Sequence, residues 1–170
     1  MKKLPETRRA LVGILFISCL TAGPLAAQVA APTTPGVDPG SNRSNKKASQ
    51  AAVAVLGGKA TEGLRLAEKA IKADPKNPWA YYNQGDALAR LKRVDEAVAA
   101  FQKAEQHFSS SDPYGKSIAI YGRANVLDQA GRCDEARQAY GEYARFIRAE
   151  DPKSATMAER FGDDCVPRPR

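Results

Sequence analysis

Histidine is nearly absent from this chain: its 170 residues contain one, His107. Cysteine is scarce too, at three, and no Cys-x-x-Cys pair occurs. Together these shortages remove the donor set from which structural and catalytic metal centres are built. Gly-x-Gly-x-x-Gly, Walker, His-Glu-x-x-His and Gly-x-Ser-x-Gly patterns are missing as well, so phosphate cradles and activated nucleophiles have no residues to stand on. Aromatic residues make up only 7%, which argues against a β-sandwich, whose strands favour aromatic and β-branched side chains. No run of Lys and Arg interleaved with aromatics appears, as a groove for single-stranded nucleic acid would need. The expectation is a chain with no catalytic residue, no cofactor, no metal and no nucleic-acid partner.

What is present is alanine and charge. Charged residues make up 26% and the formal net charge is +7. Lys2, Lys3, Arg8 and Arg9 against Glu6 place three of those net charges in residues 1–27. That segment is basic through Arg9, apolar from Ala10 to Ala22, broken at Gly23-Pro24 and small-residued to Ala27, the order of a secretory signal. The apolar stretch falls short of the roughly 20 residues a spanning helix needs. The expected cut follows Ala27 and leaves Gln28 as the new terminus, so that the chain is exported, periplasmic or secreted. A retained membrane anchor is the competing reading. Thr7-Arg8-Arg9-Ala10-Leu11-Val12 resembles a twin-arginine export signal. Phe16-Ile17-Ser18-Cys19 loosely resembles a bacterial lipobox, which would anchor the envelope form through Cys19. Residues 28–43, rich in Pro, Gly, Thr and Ser, read as a flexible linker.

From residue 44 the pattern turns helical. Val94, Ala97, Val98, Phe101, Ala104 and Phe108 recur at spacings of three and four, one apolar helix face. Asp95 and Glu96 fall in its first turn, where the helix dipole favours carboxylates. Asn77-Pro78 opens a preceding helix to Leu91, and Lys92-Arg93 joins the two as an antiparallel hairpin. Asp112-Pro113 and Asp151-Pro152 mark later helix starts, and Asp74-Pro75 marks a stop.

The units repeat. Glu62 pairs with Glu96 and Ala70 with Ala104 at an offset of 34; Glu96 pairs with Glu135 at 39, the extra residues falling in Ser109–Pro113. A 34-residue helix–turn–helix period, with Tyr81-Tyr82-Asn83-Gln84-Gly85, Asp95-Glu96-Ala97 and Phe101-Gln102-Lys103-Ala104 in the middle unit, resembles the tetratricopeptide repeat. The third unit supplies Tyr121, Ala124, Asp134-Glu135-Ala136 and Tyr140. The first departs most, with Gly63 where Ala is usual and Ala67 where a large aromatic is usual, and is expected to be the loosest.

The resemblance implies an all-α, right-handed solenoid of about three hairpins (44–77, 78–111, 117–150) with a capping helix at 152–162 and a tail at 163–170. Gly85 and Ala97 are expected to meet at the helix crossing, and Phe101 and Tyr140 to fill the gap to the next helix. Ala155, Met157, Ala158 and Phe161 are expected on one face of the cap. Function by resemblance is that of an adaptor or scaffold, binding a protein or peptide in a concave groove lined by first helices. The groove would show Ala48, Ala52 and Val55, then Trp79, Tyr82, Asn83, Asp86 and Arg90, then Tyr121, Asn125 and Asp128. Tyr82 serves equally well as packing between repeats, and for Trp79 packing is the favoured reading. Some family members grip a C-terminal carboxylate with Lys, Arg and Asn; Asn83 suits that, but Ala48 and Ala52 do not, so a hydrophobic or mixed mode is expected. Cys133 and Cys165 would come together if the capping helix turns back along its neighbour, giving a disulfide; the alternative is two free thiols.

Overall fold

The computed structural model describes residues 39–167. The signal-like segment 1–27, its cut site, and the linker up to residue 38 lie outside the described residues. Among the described residues seven helices follow one another: α1 (Pro39–Leu56), α2 (Ala60–Ala73), α3 (Pro78–Arg90), α4 (Val94–His107), α5 (Pro113–Gln129), α6 (Cys133–Ile147) and α7 (Pro152–Asp163). Among the described residues there is no strand, and no helix is long and apolar enough to cross a membrane. Each helix packs on the next, and α3 also touches α1 and α5. This is an α-solenoid in which α1, α3 and α5 form one layer.

Local signals set the helix starts. Asn77, Asp112 and Asp151 each accept a hydrogen bond from the backbone N–H three residues on, at 3.2, 2.8 and 3.0 Å, and Pro78, Pro113 and Pro152 follow them with a preset φ. Asn77 does more than cap. Its Nδ2 donates to Ser44 Oγ at 2.9 Å, and that hydroxyl donates to the Ala70 carbonyl at 2.9 Å, so one side chain ties α1, α2 and α3 together. Helix α1 begins at Pro39, ahead of residue 44 where the sequence pattern changes. The pair Asp38-Pro39 repeats the start signal used at 112–113 and 151–152, which explains the earlier start.

The three hairpin turns share one geometry. Lys59, Arg93 and Arg132 each donate a backbone hydrogen bond to the carbonyl five residues back, at 2.8, 3.0 and 2.9 Å. That bond requires a left-handed residue just before it. Gly58 (φ 78°) and Gly131 (φ 72°) supply it in two turns, and Lys92 (φ 60°) in the third.

Packing at the crossings is tighter than the sequence pattern implies. A Cβ built on Gly85 would lie 2.9 Å from Phe101, and one on Gly122 would lie 2.7 Å from it. Phe101 of α4 is thus wedged between α3 and α5. The nearest neighbour of Gly85 is this ring and not Ala97, because the ring lies over the crossing. The first hairpin is not loose. Ala51, Ala67 and Ala70 are fully buried, and a Cβ on Gly63 would collide with Val55 Cγ2 at 2.3 Å; without an aromatic wedge the two helices close directly on each other.

At the other end, α7 lays Ala155 and Ala158 on α6, beside Ala136, Ala139 and Tyr140. The Phe161 ring stands 5.9 Å from that of Tyr140. Met157 is more than half exposed, since it falls between the two buried alanines and points away. Cys133 and Cys165 form a disulfide with Cα atoms 5.4 Å apart, tying the second residue after α7 to the first residue of α6.

Candidate functional site

Between α3 and α5 lies a slot of about 550 Å³. Its floor is the edge of Phe101 with Gly122, Ala89 and Val126; Tyr82 and Tyr121 form its walls; Asp86, Arg90, Lys92, Asn125 and Gln129 form its rim. The floor exists because α4 pushes one aromatic between two helices that carry glycine at the point of contact. Asp86 and Tyr82 are four residues apart on α3, as are Tyr121 and Asn125 on α5, so each pair shares a helix face.

Electrostatics at the rim are mixed. Asp86 accepts from Arg90 Nε at 3.3 Å. Gln129 donates to Asn125 Oδ1 at 2.7 Å, a pairing that uses neither the Asn125 N–H donors nor the Gln129 oxygen. Burial raises the Tyr82 phenol above its ordinary value, and the nearby Asp86 charge and Tyr114 add to that. Tyr82 therefore stays neutral and serves as a hydrogen-bonding hydroxyl on an apolar wall.

The slot gathers Tyr82, Asp86, Arg90, Tyr121 and Asn125 from the residues expected on the groove. Others sit elsewhere. Ala48 and Val55 are buried in the core. Asn83 is buried and donates to the Ala48 carbonyl at 2.8 Å, so its amide clips α3 to α1. Trp79 is 37% exposed and meets the Phe108 and Tyr82 rings edge-on at 5.1 and 6.0 Å. Asp128 lies beside the Tyr140 phenol, which burial raises first and Asp128 further. Of the slot residues not expected, Gln129 continues the four-residue step from Tyr121 and Asn125, a signal present in the sequence. Lys92 reaches the rim from the turn.

His107 ends α4 and stacks on Tyr81 at 5.3 Å. Asp95, Glu96, Asp134 and Glu135 occupy first turns, and Arg93 and Arg132 grip Glu96 and Glu135 with two hydrogen bonds each. Those bonds lower both carboxyls and outweigh the opposing effect of desolvation. Among the described residues, no cluster of His, Cys, Asp and Glu is arranged to hold a metal ion.

A second polar site, buried between helices, carries no signal in the sequence pattern. Arg123 of α5 donates to Glu105 of α4 at 2.8 Å and to Glu142 of α6 at 2.5 Å. It lies on the face of α5 that packs against α4 and α6, away from the slot.

A family model for the tetratricopeptide repeat matches residues 50–115. That stretch is tetratricopeptide-repeat sequence. Solved tetratricopeptide-repeat domains share the fold at low identity. The N-terminal domain of stress-induced protein-1 (STI-1) from C. elegans aligns with a TM-score of 0.64 at 17% identity, over 74% of this chain and 98% of that one. The first TPR of Spaghetti (RPAP3), solved bound to the HSP90 peptide SRMEEVD, aligns with a TM-score of 0.60 at 22% identity, over 76% of this chain and 96% of that one. No curated protein matches the chain by sequence. In this repeat array the slot lies between the first helices of the second and third repeats.

Proposed function

We propose that the chain is a non-catalytic interaction module that holds a peptide or protein segment between α3 and α5, and that it works outside the cytoplasm, in a bacterial periplasm or envelope. The observation that carries the binding role is the slot itself: an apolar floor, two tyrosine walls and a polar rim are the make-up of a recognition groove. A structural neighbour solved with a peptide supports the same reading. The extracytoplasmic location is supported by the residue order of 1–27 and by the disulfide, since such bonds persist in oxidising compartments.

A membrane-anchored structural or assembly component is the second reading. Phe16-Ile17-Ser18-Cys19 favours it, with the residues between that segment and the start of α1 at Pro39 as the stalk. Mass measurement of the native protein separates the two: an N-terminus at Gln28 supports the free form, and a lipid on Cys19 the anchored one. For the groove, crosslinking and recovery from a native envelope fraction compares the unaltered chain with the Tyr82→Ala/Arg90→Ala double variant. Loss of specific partners by the variant is the expected result; equal recovery with both counts against the groove.

A further inference from the structure

The slot has one cation that the fold does not use. Asp86 is already paired with Arg90, and among the described residues Lys92 takes part in no salt bridge. Lys92 stands on the rim in a left-handed backbone conformation, where the two equivalent turns use glycine. A side chain in that conformation costs stability, and the residue that bears it lines a slot with an apolar floor.

We infer that the groove selects an extended internal peptide segment in which a large apolar residue is next to an acidic one. The apolar side chain enters over Phe101 and Gly122, the carboxylate meets Lys92, and the Asn125–Gln129 amides take the segment's main chain. This rests on the binding role proposed above and names its ligand chemistry. The charge pattern favours one carboxylate at the mouth, because Lys92 is the single positive charge left after Asp86 and Arg90 offset each other. A free C-terminus is not required: Asn83, which could have met a terminal carboxylate, is turned to the Ala48 carbonyl, and the rim residues on α5 are neutral amides.

The test is a titration of the ¹⁵N-labelled 170-residue chain with blocked probes, followed at the Gly122 backbone amide and the Asn125 and Gln129 side-chain amides. The probes are acetyl-Gly-Ser-Phe-Glu-Ser-Gly-amide, the same peptide with Ala for Phe, and the same peptide with Gln for Glu; the free acid SRMEEVD is the comparison. The expected result is saturable shifts at those amides with the Phe-Glu probe. Replacing Phe weakens binding about tenfold or more. Replacing Glu weakens it about threefold, and this loss vanishes in the Lys92→Gln variant and at high salt.

Lys92→Gly gives a separate signature: a higher thermal midpoint together with weaker binding of the Phe-Glu probe. A purely structural Lys92 would change the midpoint alone, and that result overturns the assignment. Equal binding of the Glu and Gln probes, or of the Phe and Ala probes, overturns it as well. Tighter binding of SRMEEVD than of the Phe-Glu probe, lost when its C-terminus is amidated, overturns it while leaving the groove a peptide site. Absence of shifts with every probe overturns it too, and the envelope recovery experiment then judges the binding role independently.

Discussion

Gly122 of α5 lies against the edge of Phe101 of α4, so closely that a Cβ on Gly122 would stand 2.7 Å from Cε1 of that ring. The ring cannot retreat, since Gly85 presses on its other side and only 3% of Phe101 is exposed. Alanine is the better helix former by about 1 kcal/mol, yet overpacking a filled core costs about 1–3 kcal/mol. Gly122→Ala is therefore expected to destabilise the chain, by about 1–2 kcal/mol after the helix gain is counted. Urea denaturation measures it. Adding Phe101→Leu should recover part of that loss, because the smaller side chain vacates the collision; a double variant whose losses simply add would show that the contact is not the cause.

Arg123 joins three helices by way of two carboxylates. Burial opposes its charge, and the hydrogen bonds to Glu105 and Glu142 more than offset that, holding the guanidinium above its ordinary value. Burial is the largest single influence on Glu142 and raises it, but the bond and charge of Arg123, the bond from Gln138 and the charge of Arg145 together outweigh it and leave the carboxyl lowered from 4.5. A carboxyl lowered in the folded state adds stability above its unfolded pKa, and loses it as pH falls through the folded value. The unaltered chain should thus lose stability on acidification below about pH 4.5, partly through Glu142. Arg123→Met, which fills similar space without charge, should flatten that part of the slope. Arg123→Ala leaves Glu105 without its partner and should cost about 2–4 kcal/mol at neutral pH. Denaturation at a series of pH values, comparing both variants, tests the sign and the size.

What the sequence makes legible follows from the range of each interaction. Asn77, Asp112 and Asp151 cap helices through bonds spanning three residues, so their role is written in the adjacent Pro and the apolar run that follows. The α3 and α5 residues of the slot were legible because helical period alone puts Tyr82 with Asp86 and Tyr121 with Asn125. Arg123 was not, because its partners lie 18 and 19 residues away on other helices, and an isolated arginine on a helix reads as a solvated one. Asn83 shows the same limit: its partner, the Ala48 carbonyl, is 35 residues distant. Lys92 sat in plain view opposite Gly58 and Gly131, but only the turn geometry shows that all three share a left-handed backbone.

The disulfide closes a loop of 32 residues between Cys133 and Cys165. Closing a loop of that size contributes about 3–4 kcal/mol in the chain-entropy account. Its loss should be felt first in α7, whose ion pairs back to α6 and the residue that follows it are the exposed Arg137–Asp163 and Arg148–Glu159, each worth little. The Cys133→Ser/Cys165→Ser variant is expected to show faster amide exchange across Pro152–Asp163 while α1 to α4 keep their protection. A dithiol reductant should reproduce that pattern in the unaltered chain and add nothing in the variant. Unchanged exchange in α7 would mean that Ala155 and Ala158 hold the cap without help.

Asn83 and Asn125 are two asparagines on neighbouring first helices with opposite duties. Asn83 is buried, and its amide is spent on a backbone carbonyl of α1; Asn125 is partly open and faces the slot with only Gln129 as partner. Removing a buried hydrogen-bonding group costs about 1–3 kcal/mol, whereas a surface change away from caps and core stays within about 0.5 kcal/mol. Asn83→Ala should therefore lower the denaturation midpoint and speed amide exchange in α1. Asn125→Ala should leave stability as it was and weaken ligand capture. If Asn83→Ala proved neutral for stability but weakened capture, the amide would belong to the groove, and the division of labour between these two side chains would have to be reversed.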